Sequence, residues 1–268
     1  MATEQTREAR TPEYLSASSI STWEQCPQRF KYSRIDGIPE PETDSQIMGN
    51  FVHDVLEQVY KLPSDQRTVA NAQQLSRSVW AMGWAERLAA IGASETDMRE
   101  LRWKSWWCVE NLWMVEDPQK ISPLGIESEY YVEVLPGITI KGFVDRISEM
   151  GDGAKITDYK TGKFPRPAYV DQKWFQLHLY KVIVERSLGR PVYEVELIYL
   201  KDGKSIKKQV RPEDDGIVLA RIAKAHEEIT KAIQAGQFRT NVSKLCDWCS
   251  YKRICPAWGA RKPAAKHG

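Results

Sequence analysis

The sequence predicts an α/β fold: a mixed central sheet flanked by helices, a helical lobe inserted ahead of the strands, and a cysteine-bearing C-terminal region. Three observations predict it. Apolar residues recur with the helical period over residues 46–61, where Met48, Phe51, Val52, Val55, Leu56, Val59 and Tyr60 follow the i, i+3, i+4, i+7 rule. The period changes to two near Glu127, giving strand-like runs at 127–134, 138–149 and 154–160. A helix over 171–188 separates these from two further strands at 193–200 and 205–210, an alternation that α/β sheets require.

The remaining elements follow in order. Residues 1–14 read as frayed, and 16–32 as a short serine-capped helix carrying Trp23, Cys26 and Phe30. A loop rich in Pro, Glu and Asp follows at 36–45. The stretch 68–116 is helical and holds Trp80, Trp84, Trp103, Trp106, Trp107 and Trp113. These rings can pack the lobe's own core or stack unpaired bases. Arg211 to Asp215 reads as a turn, and a long helix covers 216–235. The organisation expected is an N-terminal segment (1–61), an inserted Trp-rich lobe (62–126), an α/β core (127–236) and a cysteine-rich C-terminal region (237–268) that ends in a basic stub, Lys262 to His267.

Composition sets outer bounds. A chain of 268 residues that is 42% hydrophobic can build one sizeable core. The net charge of +2 neither supports nor excludes nucleic acid, which needs only a local basic track. No run of eighteen apolar residues occurs. The start, MATEQTREAR, has no apolar stretch and reads as a polar lead-in, so a reducing cytoplasm is expected, where clustered cysteines suggest metal ligation.

The richest stretch is GFVDRISEMGDGAKITDYKTGK, residues 142–163. Gly151-Asp152-Gly153 marks a hairpin turn. Asp158 and Lys160 are two apart and project from one face of their strand. A register that pairs Glu149 with Ala154 sets Asp145 opposite Asp158, and like charges so placed destabilise a sheet. Such a pair needs a shared proton or a divalent cation bound by oxygen, and the adjacent Lys160 favours the cation. A surface hairpin with ordinary charges is the bland alternative. His53 flanks the stripe of helix 46–61, one turn after Gly49, and Gln176 and Tyr180 are i, i+4 neighbours on a later helix.

The order GNFVH (49–53), GFVDRI (142–147), DYKTGK (158–163) and QLHLY (176–180) resembles the RecB-type and CRISPR-associated branch of the PD-(D/E)xK nucleases. The resemblance implies a restriction-endonuclease-like core and a divalent Mg²⁺ or Mn²⁺ bound by His53, Asp145, Asp158 and the backbone carbonyl of Tyr159. It implies catalytic roles for Asp145, Asp158, Lys160, Gln176 and Tyr180. A carboxylate on the preceding strand is also implied, and Glu127 and Glu129 both compete for that place. The activity implied is DNA hydrolysis, as an exonuclease preferring single-stranded ends, in recombination or repair. A non-catalytic DNA-binding or assembly module on the same fold is the alternative, against which the complete acidic pair with its lysine argues. A phosphate loop is not found at Gly203-Lys204-Ser205, since Ile198 stands where glycine is required. A helicase partner would therefore be a separate protein.

Cys246, Cys249 and Cys255 form C-x2-C-x5-C, followed by Pro256. A tetrahedral site or a cubane needs a fourth ligand, for which Cys26 and Cys108 are candidates, and spacing alone leaves zinc and iron–sulfur open. The pattern resembles the iron-staple form of RecB-like nucleases, which implies a 4Fe–4S cluster on Cys26, Cys246, Cys249 and Cys255. Such a link would close a loop of about 220 residues and restrict the unfolded chain. A zinc-stabilised protein unrelated to nucleases is a third reading. Arg29, Lys31, Lys244, Lys252 and Arg253 near these cysteines are either phosphate contacts or ordinary surface.

Overall fold

The structure is a computed structural model that describes residues 11–166 and 173–259. The basic stub and the first two residues of the expected 171–188 helix lie outside them. The chain divides into two compact units. One comprises Met1–Pro41, Glu133–Lys141 and Ile217–Gly268, and the other Glu42–Val132 and Gly142–Gly216. Among the described residues no helix is long and apolar enough to cross a membrane.

The larger unit is built on a five-stranded sheet of order β1-β2-β3-β4-β5, formed by β1 (Pro123–Leu135), β2 (Ile138–Met150), β3 (Gly153–Lys160), β4 (Val192–Tyr199) and β5 (Lys204–Gln209). β3 is antiparallel to β2 and parallel to β4, and β5 is antiparallel to β4, so the sheet is mixed as expected. The β2–β3 ladder pairs Glu149 with Ala154 and runs to Arg146↔Thr157. One further step in that register sets Asp145 against Asp158. The parallel β3–β4 step needs a crossover, supplied by the helix Trp174–Leu188.

Helix Asp44–Lys61 starts two residues before the expected point because Thr43 and Gln46 form a reciprocal capping box. Its buried stripe runs through Ile47, Phe51, Val52, Val55, Leu56, Val59 and Tyr60, with Met48 only partly covered. The expected lobe is three helices, Val69–Trp80, Trp84–Ala90 and Glu95–Glu110, plus the short turn Leu112–Val115. They share one core with the long helix and with Tyr159, Ile198 and Leu200 of the sheet side. The packing role expected of the tryptophans holds for four of the six. Trp80 and Trp84 meet Phe51 edge-on, and Trp106 and Trp113 pack against the core, whereas Trp103 and Trp107 face solvent.

Two further expectations are corrected. The predicted 16–32 helix breaks into Ala17–Gln25 and Pro27–Phe30, followed by a π turn at Lys31–Ile35. Pro27 disfavours helical backbone at the residue before it, and Cys26 is extended at φ −163°, ψ 104°. Asp214 and Asp215, expected in a turn, open the helix Asp214–Ala235, where acidic side chains complement the helix dipole. N- and C-terminal segments of the smaller unit are tied by Trp23 Nε1 donating to Glu228 (2.9 Å), Tyr32 Oη to the Ile254 carbonyl (2.9 Å) and Tyr251 Oη to the Ile38 carbonyl (2.7 Å).

Candidate active site

Among the described residues the α-helices are α1 (Ala17–Gln25), α2 (Pro27–Phe30), α3 (Asp44–Lys61), α4 (Val69–Trp80), α5 (Trp84–Ala90), α6 (Glu95–Glu110), α7 (Leu112–Val115), α8 (Trp174–Leu188), α9 (Asp214–Ala235) and α10 (Pro256–Gly259). Within the larger unit, α3, β1, β2, β3 and α8 line an open cavity of about 620 Å³. α3 presents His53, and β1, β2 and β3 present Glu127, Asp145, Asp158, Lys160 and the backbone of Tyr159. α8 adds Gln176 and Tyr180. Of the residues named from the sequence for this site, all but Glu129 lie on this cavity.

Ligand atoms of His53, Glu127 and Asp145 lie within 4.8 Å of one another. His53 Nδ1 is 3.0 Å from Glu127 Oε1 and 3.7 Å from Asp145 Oδ2, while Nε2 is 3.2 Å from the Tyr159 carbonyl. Both ring nitrogens thus face acceptors, which suits a doubly protonated ring. Burial opposes that charge, but Asp145, Glu127 and Asp158 outweigh it and raise the His53 pKa to about 9.

Asp145 Oδ2 accepts the Tyr159 N–H at 2.7 Å. Burial, and next the charge of Asp158, hold the Asp145 carboxyl well above the usual carboxylate range. Lys160 Nζ stands 2.6 Å from Asp158 Oδ2, close enough for an ion pair. That oxygen is buried, and Lys160 is its charge partner. Burial works against the Lys160 charge, yet Asp158 and Asp145 raise its pKa and keep it an ammonium. Lys160 Nζ also donates to Gln176 Oε1 (3.3 Å), and Gln176 Nε2 donates to Tyr180 Oη (2.8 Å).

Three carboxylates crowd two cations here. That donor set, hard oxygens with one imidazole, fits a divalent cation. The tight group differs from the expected one in a single member: Glu127 stands beside His53 and Asp145, while Asp158 turns to Lys160. Between the two candidates on β1, Glu127 faces the cavity and Glu129 is exposed outside it. Glu127 is the one non-glycine residue of positive φ (43°) among the described residues. This kink breaks the alternation that would otherwise send both glutamates to one face. Sequence reasoning missed Asn50 and Asp54, which also line the cavity. Their signal was available, since Gln46, Asn50, His53, Asp54 and Glu57 make a polar stripe at helical spacing on α3.

In the smaller unit, Cys26, Cys246, Cys249 and Cys255 line one further cavity. Three of the four hold extended backbone: Cys26 before Pro27, Cys255 before Pro256, and Cys249 at the end of a 3₁₀ turn. Cys108 is elsewhere, buried in the helical core of the larger unit, where burial pushes its thiol up to about 11. Of the basic residues near the cysteines, Arg29, Lys31 and Lys252 are ion-paired with Glu40, Asp36 and Asp247.

A mixed sheet that delivers an acidic pair and a lysine from adjacent strands, beside a helix-borne histidine, defines a phosphodiesterase-type core. The chain belongs to the PD-(D/E)XK nuclease superfamily, whose pattern matches residues 14–256. It is 23% identical over 286 aligned positions to the Gene 69 protein of Mycobacterium phage L5, covering 91% of this chain and 96% of that one. The Gene 69 protein of phage D29 matches at 23% with the same coverage of each chain. An 87-residue stretch, 30% of this chain and 7% of the relative, is 36% identical to one chain of the ATP-dependent helicase/nuclease of Pelotomaculum thermopropionicum. A candidate exonuclease from Eubacterium rectale shares the fold with a TM-score of 0.58 at 11% identity, over 100% of this chain and 96% of that one.

Proposed function

We propose that this chain is a divalent-metal-dependent deoxyribonuclease, working as an exonuclease on single-stranded ends. The carrying observation is the convergence of His53, Glu127 and Asp145 within 4.8 Å, beside a charged Lys160 on an open cavity. His53, Glu127, Asp145, Asp158 and the Tyr159 carbonyl are the groups that would hold the ion. Mg²⁺ or Mn²⁺ bound there would supply Lewis acidity toward the phosphate and the attacking water. The chain's own contribution centres on Lys160, whose ammonium meets the negative charge that builds on the phosphate oxygens. Gln176 orients that ammonium, and Tyr180 orients Gln176. In the reaction a water oxygen bonds to phosphorus as the P–O bond to the leaving nucleoside breaks, and the leaving oxygen takes up a proton. The candidate exonuclease with this fold supports the exonuclease reading, and the helicase/nuclease relative supports a separate helicase as partner.

The test is cleavage of end-labelled single- and double-stranded DNA with Mg²⁺ or Mn²⁺. The unaltered chain should shorten single strands from an end, and Asp158→Ala and Lys160→Ala should each lose at least about a hundredfold in rate. Retained DNA binding with no cutting by the unaltered chain would overturn the enzyme and favour an assembly module.

We also propose a 4Fe–4S cluster on Cys26, Cys246, Cys249 and Cys255. All four thiols share one cavity, and thiolates are the ligands such clusters take. The role proposed is structural.

A further inference from the structure

Two of the six lobe tryptophans are left in water, and they are neighbours. Arg99, Trp103 and Trp107 sit at i, i+4 and i+8 on α6 and form one ridge. Trp103 is 62% exposed and Trp107 46% exposed. Their rings stack with centroids 5.5 Å apart and planes 29° from parallel, an exposed aromatic pair to which a further flat ring can add. Beside the ridge is a cleft of about 290 Å³ whose lining includes Arg77, Arg99, Arg102 and Trp103 and no acidic residue. None of these arginines is ion-paired among the described residues: Arg99 bonds to Thr96 Oγ1, and Arg102 lies over the Trp80 ring at 5.2 Å. The other four lobe tryptophans belong to or pack against the core, so packing accounts for them and not for this pair.

We propose that Trp103 and Trp107, with Arg77, Arg99 and Arg102, form a platform that binds single-stranded nucleic acid outside the catalytic cavity. The proposal rests on the nuclease reading and deepens it, by naming the surface that receives the unpaired strand. Exposed indole faces stack on any unpaired base, and guanidinium groups meet the phosphates between them. Bases inside a duplex have no free face, so the platform selects single strands. Three uncompensated cations in one cleft match a polyanion. A protein partner, which could also use Trp and Arg, would have to bring its own acidic cluster. α6 packs against α3, the helix of His53, in a shared core, so a strand held on the ridge is fixed relative to the site.

The full chain is titrated into a fluorescein-labelled oligothymidylate of about 20 nucleotides, long enough to span such a site. Anisotropy is read in EDTA so that no cleavage occurs. Binding should quench tryptophan fluorescence. Trp103→Ala/Trp107→Ala should weaken binding by at least about tenfold, and Trp103→Phe/Trp107→Phe should recover most of it. Arg77→Ala/Arg99→Ala/Arg102→Ala should reduce the slope of log affinity against log salt by about 2. Duplex of the same length should bind equally to all variants. Unchanged thermal unfolding midpoints certify the fold of each variant. Equal affinity of the unaltered and double-alanine chains for the single strand overturns the platform. So does a change of oligomeric state with strand binding intact, which would make the ridge a protein interface. The nuclease reading is judged separately, by cleavage of the strand by the unaltered chain once Mg²⁺ is added.

Discussion

Arg146 is 0% exposed, and its charge is met by Glu116, the Tyr60 hydroxyl, Tyr159 Oη (2.7 Å) and Thr157 Oγ1 (3.0 Å). This cluster lies under the candidate site and reaches it through one residue. The Tyr159 side chain is held by Arg146, while its N–H bonds Asp145 and its carbonyl faces His53. Burial pushes the Glu116 carboxyl up, but the Arg146 guanidinium and the Tyr60 hydroxyl outweigh it and leave the pKa below the ordinary value. A depressed folded pKa contributes stability above the unfolded value, roughly 4.3, and that contribution is lost as pH falls through the folded pKa. Glu116→Gln should therefore cost about 3–5 kcal/mol near neutral pH, because it strands a buried guanidinium. The deficit should shrink as pH falls below the unfolded value and on through the depressed folded pKa, below which the unaltered side chain is itself protonated. Urea unfolding of both chains at neutral and acid pH measures this, and a deficit that stays constant with pH would refute it.

At the scale of elements, the catalytic strand–helix junction depends on a close approach at Gly142. A Cβ there would lie 2.6 Å from Ile183 Cδ1 and 3.5 Å from the Tyr180 ring, so α8 rests directly on the β2 backbone. Gly142→Ala should destabilise by about 1–3 kcal/mol through overpacking. Ile183→Val deletes the clashing methyl and alone should cost about 0.5–1.5 kcal/mol. Combined, the two should cost less than their sum, and additive losses in thermal unfolding would disprove the contact. Much of this junction was legible beforehand. The period-two pattern put Asp158 and Lys160 on one face, the Gly151-Asp152 turn fixed the Glu149↔Ala154 register, and i, i+4 spacing joined Gln176 to Tyr180. What stayed hidden depended on local backbone geometry. No residue pattern announces the positive φ of Glu127, so Glu127 and Glu129 looked equivalent. The break at Cys26 was marked by Pro27, but serine caps and apolar spacing argued for one continuous helix.

Over the whole molecule, sequence order is a poor guide to which segments associate. The smaller unit gathers residues from both ends of the chain and a hairpin tip, Glu133–Lys141, where Leu15 bridges Ile140. Hydrophobic period reports that Leu15 is apolar but not which distant strand it meets. The cysteines, by contrast, carried long-range information, because three clustered thiols want a fourth, and Cys26 lines the same cavity as Cys246, Cys249 and Cys255. If a cluster joins them, it closes a loop of about 220 residues, worth about 5 kcal/mol in the chain-entropy account. Cys26→Ala should then bleach the brown colour, drop iron and acid-labile sulfide far below the unaltered content, and lower the thermal midpoint. Cys108→Ala should leave iron content unchanged, since that thiol is buried in the other unit's core. The asymmetry between the two variants separates ligation from general destabilisation. A Cys26→Ala chain that keeps its full iron would remove Cys26 from the ligand set, and stoichiometric zinc in a colourless unaltered chain would remove the cluster itself.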